Sequence, residues 1–100
     1  MVTREGLSET KEANITSAEK NFRTLSIQLT LPNPETIEAA QIVVSQPEQV
    51  LYEETWDDIE KFKYLFIPSS NFRGSAGIGL YIKQKGETQF KKVDTKNVRF

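Results

Sequence analysis

The sequence predicts a small antiparallel β-sandwich of immunoglobulin-like type, about five to seven strands long, with a flexible N-terminal arm. Three observations carry that expectation. Apolar residues alternate with polar ones in several short runs, which is the periodicity of a half-buried strand. Prolines and glycines punctuate the chain at short intervals. No stretch sustains the 3.6-residue period of a long helix. An open barrel is the runner-up architecture.

Taken in order, residues 1–20 are polar and charged with scattered apolar positions, so they read as an exposed arm or linker, and 21–100 as a single domain. Thr16-Ser17-Ala18-Glu19 has the spacing of a capping box and suits one helical turn. Leu25, Ile27, Leu29 and Leu31 then alternate with Thr24, Ser26, Gln28 and Thr30, and Pro32-Asn33-Pro34 stops the run because neither proline can donate to a ladder. A turn leads into the β-branched Ile42-Val43-Val44; a short helix through Ala40 is the alternative. Val50 to Trp56 reads as a strand with Val50, Tyr52 and Trp56 on one face, followed by the loop Asp57-Asp58-Ile59-Glu60. Phe62, Tyr64 and Phe66 alternate with Lys63, Leu65 and Ile67 in a strand buried on at least one face. Ala76, Ile78, Leu80 and Ile82 line one side of the next strand and Gly77, Gly79, Tyr81 and Lys83 the other. Gly86-Glu87 suits a two-residue hairpin turn into a last strand with Val93 and Val98 inward.

Composition narrows the chemistry. The chain has no cysteine and no histidine, which removes thiolate nucleophiles, cysteine zinc sites, the commonest transition-metal ligand and the usual general base near neutral pH. The expectation is a protein that is not an enzyme and needs no cofactor or metal. No apolar run approaches the length of a bilayer span, and residues 1–20 hold no apolar core of a signal peptide. The net charge of −1 hides an asymmetry: residues 1–60 hold four Lys/Arg against twelve Asp/Glu, and residues 61–100 hold nine against two. Acidic and basic strands neutralising one another across a sheet is the simplest account; two complementary binding faces is the functional one.

Three stretches invite a functional reading. Gly74, Gly77 and Gly79 have phosphate-loop spacing, but Leu80-Tyr81 stand where lysine and a hydroxyl residue belong, so the glycines mark a bulge or a close approach within a strand. Glu53, Glu54, Asp57, Asp58 and Glu60 crowd around Trp56, which suits a solvated acidic loop, or a calcium or sugar site beside an aromatic platform. The last hairpin places Lys83 opposite Phe90 and Tyr81 opposite Lys92 on one face, an aromatic surface among cations. With a slightly acidic chain this face is not expected to take nucleic acid. Tyr81, Lys83, Phe90 and Lys92, with Trp56, Asp57 and Asp58, form the candidate interaction surface.

Gly6-Leu7-Ser8-Glu9-Thr10, Ala18-Glu19-Lys20 and the strand Leu25 to Leu31 together resemble the start of an extracytoplasmic immunoglobulin-like domain of Bacteroidetes-type membrane-anchored envelope proteins, where a polar connector joins an anchor to a β domain. The resemblance implies that Met1 is not the natural start, that a membrane anchor was trimmed away, and that the domain is periplasmic or extracytoplasmic; a cytoplasmic location is the alternative. The functional expectation is a structural or protein-interaction module of a cell-envelope or secretion-type assembly, with a protein partner or self-association. Carbohydrate binding through Trp56, Tyr52 and the nearby carboxylates is the first alternative, and a small carboxylate-dependent hydrolase the second.

Overall fold

In the computed structural model of the chain, which describes residues 13–100, the clearest alternating run becomes a central strand. The strands are β1 (Asn14–Lys20), β2 (Thr24–Thr30), β3 (Ile37–Gln46), β4 (Gln49–Trp56), β5 (Phe62–Pro68), β6 (Ser75–Gln84) and β7 (Lys91–Arg99). All pairings are antiparallel, in a three-stranded sheet ordered β1-β2-β5 and a four-stranded sheet ordered β4-β3-β6-β7. The two sheets form a sandwich. Leu25, Ile27, Leu29, Leu65 and Ile67 of the first sheet meet Ile42, Val44, Ile78, Leu80 and Ile82 of the second in one buried cluster. Each such side chain contributes roughly 1.5–3 kcal/mol by leaving water.

The expected arm is shorter than its composition suggests. Residues 1–12 lie outside the described residues, but residues 14–20 are strand β1, not a helical turn, and Ala13 and Ile15 are buried. The cause is a bulge. Ile15 pairs with Leu29 and Ser17 with Gln28, so Thr16 is an extra residue that reverses the alternation and brings Ala18 to the inner side. Only three small or apolar residues, spaced irregularly, therefore signal this strand. Its Ile15 N–H donates to the Asp94 carboxylate at 2.8 Å, joining β1 to β7 of the other sheet and closing that side of the sandwich.

A bulge also corrects β4. Val44 pairs with Tyr52 but Ser45 with Val50, leaving Leu51 as the extra residue. Val50 thus leaves the face it was expected to share with Tyr52 and Trp56 and is 57% exposed, while Leu51 packs on the core. Between β2 and β3 the expected turn is a 3-10 turn, Pro34–Thr36, in which the Thr36 N–H and hydroxyl both donate to the Asn33 carbonyl. Strand β3 then starts at Ile37, ahead of the β-branched run, because Ile37 and Ala40 already face the core.

The glycine-rich stretch is strand β6. Gly79 sits on the outer face, where an added Cβ would lie 3.0 Å from the Tyr81 ring, so the glycine lets that ring fold back over the strand. A bulge in the β6–β7 pairing falls beside it, between Leu80 and Tyr81. The hairpin turn is centred on Lys85-Gly86, not Gly86-Glu87: the Glu87 N–H donates to the Gln84 carbonyl, and Gly86 takes the positive φ of 91° that the second central position of a type II turn requires. Tyr81 still pairs with Lys92 as the sequence expects. Acidic and basic strands neutralise each other as neighbours at one point, where Lys83 of β6 lies 3.7 Å from Glu38 of β3, but the most strongly charged strands do not meet. Acidic β4 and basic β7 occupy opposite edges of the four-stranded sheet.

Candidate functional site

Strand β5 carries the sequence FKYLFIP, with apolar residues on both parities. Leu65 and Ile67 face the core at 6% and 1% exposure. The opposite parity is outside: Phe62, Tyr64 and Phe66 are 50%, 57% and 69% exposed. At i, i+2 and i+4 of one strand they stand about 7 Å apart in a row. At about 200 Å² for each such side chain, the row exposes roughly 350 Å², within the range of the largest apolar patch on a typical monomer.

The neighbouring strands lay a polar floor beside this row, with the Glu19 carboxylate in it. Thr30, Gln28 and Ser26 of β2 stand opposite Phe62, Tyr64 and Phe66, and β1 places Ser17 next to Gln28 and Glu19 next to Ser26. A shallow depression of about 190 Å³ lies between the floor and the Tyr64 and Phe66 rings. Thr16 and Thr30 share a hydroxyl–hydroxyl hydrogen bond at one end. The Lys61 ammonium lies 5.6 Å from the centre of the Phe62 ring, leaving Tyr64 and Phe66 as the open part of the row.

The edge of β5 is guarded. Lys63, on the inward parity, holds its ammonium 5.1 Å from the centre of the Trp56 ring on β4, and Pro68 closes the strand. An inward lysine on an edge strand opposes continuation of the sheet, so the face of β5 is the accessible feature. Trp56 is half-buried and its Nε1–H is buried without a hydrogen-bond partner.

Trp56, Asp57, Lys83 and Phe90 meet at a depression of about 400 Å³ on the four-stranded sheet, rimmed also by Glu38. Lys83 lies 5.5 Å from the Phe90 ring centre and 3.7 Å from the Glu38 carboxylate. Lys92 lies 5.7 Å from the Tyr81 ring centre. Each of these aromatic faces therefore already carries a cation. Asp58 is an exposed loop residue that does not line the depression. Tyr52 turns its hydroxyl to Glu54, and that hydrogen bond, with partial burial and the carboxylate charge, pushes its pKa up to about 12. Glu53 accepts the Gln41 amide at 2.8 Å on the outer face, away from Glu54. Among the described residues no three carboxylates converge as a metal site would require.

The aromatic row escapes the sequence because FKYLFIP reads as a strand buried on either face or both. Which face meets solvent is set by the pairing with β2, where Leu65 and Ile67 stand opposite the buried Ile27 and Leu25, and that contact is long-range. The one local signal is Lys63, whose parity is the inner one. No family model, no curated protein and no solved structure matches this chain.

Proposed function

We propose that this domain is a non-enzymatic protein-interaction module and that the outer face of its three-stranded sheet makes the contact. The observation that supports it is the row Phe62, Tyr64 and Phe66, exposed on a regular strand beside hydroxyl and amide side chains. Aromatic side chains of this kind supply most of the binding energy at protein interfaces, and few charges need to be stripped of water here. The row's roughly 350 Å² falls short of the 800 Å² per partner of a stable interface, so it serves as the apolar centre of a contact whose rim is the β1–β2 polar floor. A cell-envelope or secretion-type assembly is the setting proposed, on the resemblance of the N-terminal connector and first β segment to anchored envelope proteins.

A glycan is the second reading, favoured by Ser17, Glu19, Ser26 and Gln28 around the rings. The depression there, about 190 Å³, is smaller than the 300–1,000 Å³ of small-ligand sites. A broad protein face suits it better. Photo-crosslinking from a benzophenone side chain at position 66, with the adduct identified by mass spectrometry, tests the proposal. A defined protein adduct, lost on Tyr64→Ala, is expected. Glycan-array binding that Tyr64→Ala and Phe66→Ala abolish, without a protein adduct, replaces it with the second reading.

A further inference from the structure

The end of the sandwich formed by the β1–β2 turn and the β5–β6 loop holds a cavity of about 660 Å³ that the aromatic row does not share. Its walls carry Phe22, Phe72 and Phe100 together with Lys20, Arg23 and Arg73, and no Asp or Glu side chain lines it. Among the described residues the salt bridges are Lys83–Glu38 and Lys91–Glu87, so none of these three cations has a carboxylate partner. Phe22, at 87% exposure, is the most open of the large hydrophobic side chains on the described surface.

The backbone of the walls is tied by hydrogen bonds. The Asn21 side chain accepts the Arg23 and Thr24 N–H groups at 3.0 and 2.9 Å, which sets the turn that projects Phe22 and Arg23 outward. The Ser69 N–H donates to the Arg23 carbonyl, tying this turn to the β5–β6 loop. In that loop Arg73 donates from Nη1 to the Ser70 and Phe72 carbonyls, both at 2.9 Å, and Phe72 meets Phe100 edge to face at 5.2 Å. Arg23 lies 5.7 Å from the centre of the Phe22 ring. A cavity built this way spares a ligand the cost of ordering the turn and the loop backbone.

We infer that this cavity binds an acidic peptide segment carrying an aromatic or large aliphatic side chain. The phenylalanine rings take the apolar side chain, and Lys20 and Arg23 take flanking carboxylates, which guanidinium can hold through two parallel hydrogen bonds. Nucleic acid offers the same pairing of ring and anion, but a chain with a net charge of −1 lacks the broad positive field that draws a polyanion. The cavity volume, open at one end of the molecule, also matches a few residues of peptide better than an extended strand.

The test is fluorescence anisotropy with a labelled peptide of aspartate, glutamate and phenylalanine, its counterpart with lysine at every acidic position, and oligothymidylate as competitor. The acidic peptide should bind and the lysine peptide should not. Affinity should fall about tenfold or more in the Lys20→Glu/Arg23→Glu double variant, an effect worth about 1.4 kcal/mol. It should fall likewise on raising salt from low to several hundred millimolar, and stay unchanged in Phe66→Ala, which reports on the separate aromatic row. Both substituted side chains are exposed, and the milder Arg23→Gln gives the same direction if the double variant unfolds at lower temperature. Equal binding of the lysine peptide, binding that survives charge reversal, no binding of the acidic peptide, or oligothymidylate displacing it at lower concentration would each overturn the inference.

Discussion

Ile15→Ala asks directly whether β1 is structure or tether. Ile15 is 2% exposed, belongs to the buried cluster and sits one residue into β1. The substitution removes three carbons, which at about 0.8 kcal/mol each is roughly 2.4 kcal/mol of transfer free energy. A cavity term adds to this, although near a strand end the surroundings can close part of the gap, so the lower half of the 2–5 kcal/mol range for such truncations applies. The expected loss is about 2–3 kcal/mol, which for a domain of this size lowers Tm by on the order of 10–20 °C. Urea titration followed by Trp56 fluorescence should show a lower midpoint and an unchanged m-value. Phe22→Ala, removing a larger but 87% exposed side chain, is the internal control and should stay within about 0.5 kcal/mol of the parent. If Ile15→Ala matched Phe22→Ala, β1 would contribute nothing to the core and the arm reading of residues 14–20 would return.

Tyr52, whose hydrogen bond to Glu54 raises its pKa to about 12, keeps its proton in the folded chain while the unfolded chain releases it near 10. That contribution to stability is complete below pH 10 and is lost as the pH rises toward 12, so Tyr52→Phe should flatten the fall in stability across that window. Trp56→Phe removes the unpartnered Nε1–H along with some ring area, so the two effects offset and stability should change by less than about 1 kcal/mol; Trp56→Ala should cost about 3 kcal/mol, both read by urea titration followed by far-UV circular dichroism, since Trp56 is the chain's single tryptophan. Replacing the exposed Lys91 and Lys92 of edge strand β7 with threonine should promote self-association visible by sedimentation velocity, and Lys63→Val should do so at the β5 edge. Variants as monodisperse as the parent would remove the edge-guarding role.

The elements that were legible in the sequence are those whose alternation is unbroken. Leu25 to Leu31 and Ala76 to Ile82 keep strict period two, and both sets are buried as that pattern predicts. Where one extra residue interrupts the ladder, parity fails: Thr16 hides β1 inside a polar arm, and Leu51 sends Val50 to solvent. Tyr81 pairs with Lys92 as expected, but by offset: a turn centred on Lys85-Gly86 would in strict register set Tyr81 opposite Phe90, and two extra residues between Glu87 and Lys91 shift the ladder to Lys92. Strand order was not legible. The opposite edges taken by β4 and β7, and the register of β5 on β2 that leaves three aromatic side chains in water, follow from contacts between residues far apart in sequence.

That strand order also separates two kinds of surface. The acidic residues Glu53 and Glu54 and the basic residues Lys91, Lys92 and Lys96 fall on opposite edges of the four-stranded sheet. The outer face of the three-stranded sheet instead presents threonine, serine, glutamine and aromatic side chains, with the Glu19 carboxylate in the depression beside Phe66 and Lys61 at the Phe62 end. Charges at the periphery act at a distance, and their effect on association is chiefly to orient an approaching partner and to exclude wrong ones. A mostly uncharged aromatic face acts chiefly at contact, where water must be removed, and it loses little solvation of ions when that happens. If these functions are divided as the strand order suggests, raising salt should slow association at the aromatic row without greatly changing how long the complex lasts, whereas Phe66→Ala should shorten its lifetime and leave the association rate nearly unchanged.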